Sequence, residues 1–216
     1  QMFAIEPLVF ADVESAWSGV RPLIQEEGKS PSEISRKDEI FHSDSGLYSI
    51  AGGKLTGYRK MAEKIIDKLA KDFVQEYGDY HYVETQTENL PLSGADNKGS
   101  KGFKEFLPEA VERGIDDGLE EAQAEALVHR YGLNVDEVYK FLAEAKEAAT
   151  ELDPLDYAQL HYGLEDEMVV HPIDYLLRRS SQMLFGFEHM KLVYKGIIDD
   201  MANYYNWSDV TKGKML

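Results

Sequence analysis

The period of the apolar residues changes once, abruptly, at Gly52-Gly53, and that change limits what the front of this chain can become. Before it, Gly46-Leu47-Tyr48-Ser49-Ile50-Ala51 is a short β-like run bounded by glycines. After it, Leu55, Tyr58, Met61, Ala62, Ile65, Ile66, Leu69 and Phe73 recur at helical spacing on one face. A strand, a glycine turn and a long helix are therefore expected in that order. An earlier run, Ala16 to Ile24, also reads as β-like, with a polar loop from Gln25 to Ser35.

From Gly78 to Gly102 the helical period is lost and Asp, Asn, Ser and Gly accumulate, which predicts a connection with a short strand near Tyr80 to Val83. Beyond it helical patterns run over Leu119–Tyr131, Asn134–Thr150, Pro154–Glu165, Pro172–Ser181 and Glu188–Tyr205. Asn134 and Asp153 are placed as N-caps, Pro154 and Pro172 in first turns and Gly132 at a C-cap. The predicted organisation is α+β. Residues 1–78 form a strand-and-helix unit, 79–102 a linker and 103–216 an all-α helical bundle.

Composition narrows the chemistry. Lys and Arg number 23 against 40 Asp and Glu, a formal charge of −17 that repels phosphodiester backbones and anionic lipid surfaces, so no nucleic-acid partner is expected. A small anion held by two arginines remains compatible with that charge. With no cysteine, disulfides, thiolate metal ligands and thiol nucleophiles are excluded, which fits a reducing cytoplasm. No apolar stretch approaches a membrane span, and Gln1 to Glu6 does not look like a secretory leader. A chain opening on Gln1 reads as a piece of a longer protein.

The segment Gly52-Gly53-Lys54-Leu55-Thr56-Gly57-Tyr58-Arg59-Lys60 is the most informative for function. A glycine turn feeding a helix presents free backbone N–H groups and the positive end of the helix dipole to an anion or a polar ring edge. It is not a nucleotide-triphosphate loop, because Tyr48 stands where the first glycine belongs and Leu55 where Ser or Thr belongs. A plain strand-to-helix turn would use the same glycines.

The run Gly46 to Glu63 resembles the late flavin-domain motif of FAD-dependent glycerol-3-phosphate dehydrogenases and oxidases. Trp17-Ser18-Gly19-Val20-Arg21-Pro22-Leu23 is similar to the strand that precedes that motif, and Ser30 to Arg36 to the link between them. Leu90-Pro91-Leu92-Ser93-Gly94 and Glu167 through Arg178-Arg179 resemble the family's linker and C-terminal helices. The resemblance implies that residues 1–78 are the tail of an FAD and substrate domain. It places Gly53, Lys54, Leu55 and Thr56 beside the flavin, with Lys54 also near substrate, and Arg21 and Arg36 on the substrate's phosphate. Gly57 departs from the threonine common in the family, which removes one hydroxyl contact. The implied reaction is oxidation of sn-glycerol 3-phosphate to dihydroxyacetone phosphate by hydride transfer to FAD, with oxygen or a quinone as acceptor and peripheral membrane association open for the parent. No Gly-x-Gly-x-x-Gly occurs in the chain, so the fragment by itself is expected to bind no FAD and to be inactive, with the catalytic base elsewhere in the parent.

Other candidates are weaker. Glu125 with His129, and His161 with Glu165, have the i,i+4 spacing of paired ligands, yet neither has a third or fourth partner in view, so no metal site is expected. Arg178-Arg179 reads better as a helix end or ion pair than as an anion site. Tyr194, Tyr204, Tyr205 and Trp207 read as packing. A free-standing acidic helical interaction module is the alternative function for the whole chain.

Overall fold

The computed structural model describes residues 7–13, 15–20, 38–52, 54–78, 81–96 and 98–215. Two compact units are present, Ser18–Pro91, and Leu92–Leu216 together with Gln1–Trp17. Ser15 and Trp17 belong to the second unit through their contacts, not their place in the chain. There Ser15 Oγ donates to the carbonyl of Leu184 at 2.6 Å and Trp17 meets Phe185 edge-on.

In the unit Ser18–Pro91, β1 (Glu39–His42) and β2 (Tyr48–Ala51) form an antiparallel hairpin in the register Glu39↔Ala51 to His42↔Tyr48. The strand foreseen ahead of Gly52 and the helix foreseen behind it are both present. A 3₁₀ turn, Leu55–Gly57, leads into α1 (Tyr58–Tyr77). The expected strand at Ala16–Ile24 is not found in its described part, and residues 21–24 lie outside the described residues. His81 to Val83 is likewise not a strand. Both runs have the composition of strands, but a strand exists only where another strand takes its hydrogen bonds, and the described residues form just one two-stranded sheet.

The second unit is helical: α2 (Gly99–Asp116), α3 (Glu121–Tyr131), α4 (Val135–Ala145), α5 (Pro154–Glu165), a π-helical turn at Asp174–Arg179, α6 (Gln182–Phe185), α7 (Phe187–Tyr204) and α8 (Asp209–Met215). The sequence reading missed α2 because Gly102, Pro108 and Gly114 interrupt it. Phe103, Phe106, Leu107, Ala110 and Val111 nevertheless fall on one face and pack on the core.

Two clusters make up that core, and α5 serves both. Ala158 and Tyr162 join Leu127, Val128, Val138 and Leu142 on one side. Tyr157, Leu160 and Leu164 join Val169, Tyr175, Ile197 and Met201 on the other. A helix apolar around most of its circumference belongs in the middle of a bundle.

The start of α5 is fixed as expected, since Asp153 Oδ1 accepts the N–H groups of Leu155 and Asp156 and Pro154 fills the first turn. Asn134 occupies the cap position of α4 but does not cap with its side chain. Its amide instead donates to Ser93 Oγ at 2.7 Å and to the Tyr162 hydroxyl at 3.1 Å. Gly132 ends α3 at φ 55°, where a Cβ would stand 2.2 Å from the carbonyl oxygen of Gly94. That same carbonyl accepts the N–H of Leu133 at 2.9 Å. Only a residue without a side chain allows the Leu92-Ser93-Gly94 segment to dock there.

Candidate functional site

The turn between β2 and α1 is built as its sequence requires. Gly52 adopts φ 94°, Lys54 is extended, and Gly57 N–H closes the 3₁₀ turn on the carbonyl of Lys54 at 2.8 Å. The head of α1 then has no side-chain cap and no acidic residue in its first turn. Lys54, Leu55 and Thr56 are exposed, Leu55 to 90%. Among the described residues Lys54 makes no ion pair. The helix dipole and the exposed Lys54 thus stand at one helix end, while Arg59 and Lys60 of the first turn are paired with Glu63 further along α1. Glu63 lies 2.9 Å from both Arg59 and Lys60, and the Lys60 hydrogen bond holds its carboxyl below the ordinary range. Arrangements of this kind favour negative charge at the helix head.

Behind the turn the hairpin is tied to α1 by Tyr48. Its hydroxyl donates to Asp72 Oδ2 at 2.5 Å, Lys68 donates to the same oxygen at 2.8 Å, and the His42 ring stacks on Tyr48 with centroids 3.9 Å apart. The bond to Asp72 pushes the Tyr48 phenol up to about 12. Lys68 and Tyr48 together pull Asp72 down. These groups position β2, and with it the glycine turn, against the helix. A cavity of about 460 Å³ in this unit is not at the turn. It lies further along α1, between Asp67, Lys71 and Val74 and the segment His81–Glu84.

Of the site residues read from the sequence, Lys54, Leu55 and Thr56 share the head of α1. Gly53, Arg21 and Arg36 lie outside the described residues.

The second unit resolves the remaining candidates. His161 does not pair with Glu165: it stacks on Tyr157 at 3.9 Å and faces Asp200 at 3.8 Å, while Glu165 accepts the Tyr204 hydroxyl. Glu125 and His129 are exposed and 3.8 Å apart. Arg178 pairs with Asp174 at 3.0 Å and Arg179 donates to the carbonyl of Glu167 at 2.8 Å, the bland reading of that dipeptide. Tyr194, Tyr205 and Trp207 pack on the core.

One cluster went unseen in the sequence. His189 Nε2 sits 2.8 and 3.0 Å from the two oxygens of the buried Asp156, with Asp153 beside them. Burial, the largest influence, raises the Asp156 carboxyl, and the His189 bond opposes it. No local spacing links residues 33 positions apart, so only folding could reveal this pair.

With these features in place, comparison with known proteins defines the class. A family model described as the C-terminal domain of alpha-glycerophosphate oxidase matches residues 85–212, and the chain belongs to that family. The particular relatives extend the match to the front unit. The aerobic glycerol-3-phosphate dehydrogenase of Bacillus subtilis (strain 168) is 45% identical over 205 residues, covering 94% of this chain and 37% of that protein. The protein of the same name from Staphylococcus epidermidis (strain RP62A) is 44% identical over 201 residues, 93% and 36% of the two chains. The X-ray structure of the glycerol-3-phosphate dehydrogenase from Bacillus halodurans complexed with FAD is similar at a TM-score of 0.75 and 38% identity, over 82% of this chain and 35% of that one. The chain therefore spans little more than a third of the length of the curated relatives it matches. The match to one domain of longer proteins favours a part of such a protein over a free-standing interaction module.

Proposed function

We propose that this chain is the C-terminal part of an FAD-dependent glycerol-3-phosphate dehydrogenase or oxidase, with residues 1–78 closing the flavin and substrate site, 79–102 linking and 103–216 forming the helical domain. The observation that carries the reading is the head of α1, uncapped, free of acidic residues in its first turn and flanked by the exposed Lys54. Such an end suits the pyrimidine edge of a flavin, where negative charge accumulates on reduction. When bound, FAD accepts the hydride that leaves C2 of sn-glycerol 3-phosphate, while the C2 hydroxyl loses its proton to a base elsewhere in the parent, giving dihydroxyacetone phosphate.

In this reading Gly53, Lys54, Leu55 and Thr56 border the ring. Arg21 and Arg36 hold the substrate's phosphate, because planar guanidinium groups offer paired donors and stay charged at neutral pH. Electrons then pass to oxygen or a quinone, in the cytoplasm or at its membrane face. Since the chain lacks a Gly-x-Gly-x-x-Gly turn, we assign the pyrophosphate contacts to the part of the relatives' length that it does not cover, and the 216-residue chain should be colourless and inactive.

The test is made in the longer parent. Arg21→Leu and Arg36→Leu each remove charge-assisted bonds worth roughly 1.5–3 kcal/mol, so kcat/KM for glycerol 3-phosphate should drop at least ~10-fold with flavin content unchanged. Turnover of plain glycerol, which has no phosphate to hold, should hardly respond. Normal efficiency in both variants, or equal losses on both substrates, would defeat the assignment of the phosphate site.

A further inference from the structure

The buried carboxylate of Asp156, at the junction of α5, α6 and α7, lacks an adequate counter-charge. Asp156 is 2% exposed, yet among the described residues no lysine or arginine pairs with it. Its one ionisable partner is His189, half exposed, and the neighbouring Asp153 adds a second negative charge. Arg130 borders the same cavity of about 370 Å³ but gives its guanidinium to Gln159 Oε1 at 2.7 Å. A carboxylate removed from water is costly unless charge and hydrogen bonds compensate it.

A second, independent observation points to the same place. Among the described residues, two buried side-chain polar atoms have no hydrogen-bond partner, Gln182 Oε1 and the Tyr175 hydroxyl. Buried polar atoms are nearly always paired, so each exception calls for a cause. The first of them lies beside Asp156. Gln182 directs its amide nitrogen to Asp156 Oδ1 at 3.4 Å and lines the cavity with His189. The atoms gathered here are mostly acceptors: carboxylate oxygens, an imidazole nitrogen and an amide oxygen. An acceptor-rich set of this kind is satisfied by a cation.

We propose that Asp153, Asp156 and His189, with the Gln182 amide turned over to present Oε1 as a fourth ligand, form a divalent-cation site of the zinc type that cross-links the starts of α5 and α7. The ligand atoms of the first three all lie within 4.8 Å of one another. Tetrahedral zinc with bonds of about 2.0–2.2 Å sets its ligands roughly 3.3 Å apart. The His189–Asp156 contact of 2.8 Å must then open by about 0.5 Å and Asp153 must close in, and the exposed His189 and Asp153 side chains can do both. The N-terminal dipole of α5 opposes a cation, but its partial charge of about +0.5 is outweighed by two carboxylates. Asp153 spends Oδ1 on the helix amides and keeps Oδ2 for the ion. The mixed nitrogen and oxygen ligands favour a transition ion over magnesium. This site does not depend on the flavin reading.

The experiment uses the 216-residue chain, stripped with a chelator and titrated at pH 7.5 with Zn²⁺ by calorimetry and with Co²⁺ by visible absorption. One equivalent should bind, with ligand-field bands for Co²⁺ and a Zn²⁺-dependent rise in Tm. His189→Ala should weaken binding at least 10-fold and abolish the Tm shift, whereas His129→Ala, which removes an exposed histidine beside an acid, should change neither. His189→Gln, which keeps polarity and bulk, serves as the second variant, with circular dichroism verifying its fold. The proposal is overturned if the wild-type chain shows no saturable Zn²⁺ binding. It is equally overturned if both His189 variants, folded, bind Zn²⁺ as the wild type does.

Discussion

The front unit and the helical unit contain apolar residues at similar helical spacing but use them differently. Every buried side chain among the described residues lies between Ala110 and Met201 or Ala202, on or between the helices of the second unit. Before Leu92 none is buried, and α1 leaves Ile66 60% and Tyr77 60% exposed. Amphipathic period is thus a statement of potential. It becomes stability only where a second surface covers the stripe, as α5 is covered on two sides and α1 is not.

The widest test of this contrast is amide exchange. Amides of α4 and α5 should open only near global unfolding and those of α1 by local fluctuation, a difference of several decades in protection. Equal protection in both helices would break the comparison. Truncation sharpens it at single sites. Leu160→Ala, fully buried between α5 and α7, should cost about 2–5 kcal/mol in chemical denaturation, while Ile66→Ala on α1 should stay within about 0.5 kcal/mol. A large loss at Ile66 would mean that α1 is covered in solution.

Within the helical unit, two buried tyrosines separate packing from hydrogen bonding. Tyr139 donates to the carbonyl of Ala110 at 3.1 Å, so Tyr139→Phe should cost about 0.5–1.5 kcal/mol. Among the described residues the Tyr175 hydroxyl has no partner, and Tyr175→Phe should be neutral or slightly stabilising by thermal melting.

The smallest effects depend on pH and carry opposite signs in the two units. Asp72 is held low by Lys68 and Tyr48, so its contribution is present above the unfolded carboxyl range near ~4 and disappears as pH falls through the lower folded value. Asp72→Asn should therefore lower Tm at pH 7 and match the wild type near pH 2. Glu167 is raised by burial, with Arg179 opposing, so its favourable share is present at low pH and is lost as pH rises through the folded value. Glu167→Gln should raise Tm at pH 7, by less than about 1 kcal/mol of stability, and merge with the wild type below pH ~4. The same sign for both substitutions would contradict these assignments.

Much of this architecture was legible in the chain. Gly52 announced the turn before α1, Asp153-Pro154 announced α5, and Gly132 announced the end of α3, because each acts through its own backbone or the next few residues. Elements whose cause lies elsewhere were not legible. The helix Gly99–Asp116 was hidden by Gly102 and Pro108, since propensity counts against them while packing of Phe103, Phe106 and Ala110 outweighs it. The strand-like runs at Ala16 and His81 failed because composition cannot supply the neighbouring strand that would take their hydrogen bonds. In the candidate sites, the head of α1 was visible as a motif, but the Asp156–His189 cluster was not.

The sequence by itself determined local geometry at particular points: the glycine turn before α1, the Asp153-Pro154 start of α5 and the positive φ at Gly132. Tertiary structure alone decided which partners meet. It paired His161 with Asp200 rather than Glu165, turned Asn134 from a cap into a bridge to Ser93 and Tyr162, and brought His189 onto Asp156. The physical reason is range. Capping, turn and propensity terms act within about four residues, whereas burial and charge pairing depend on distances that exist only after the helices have packed.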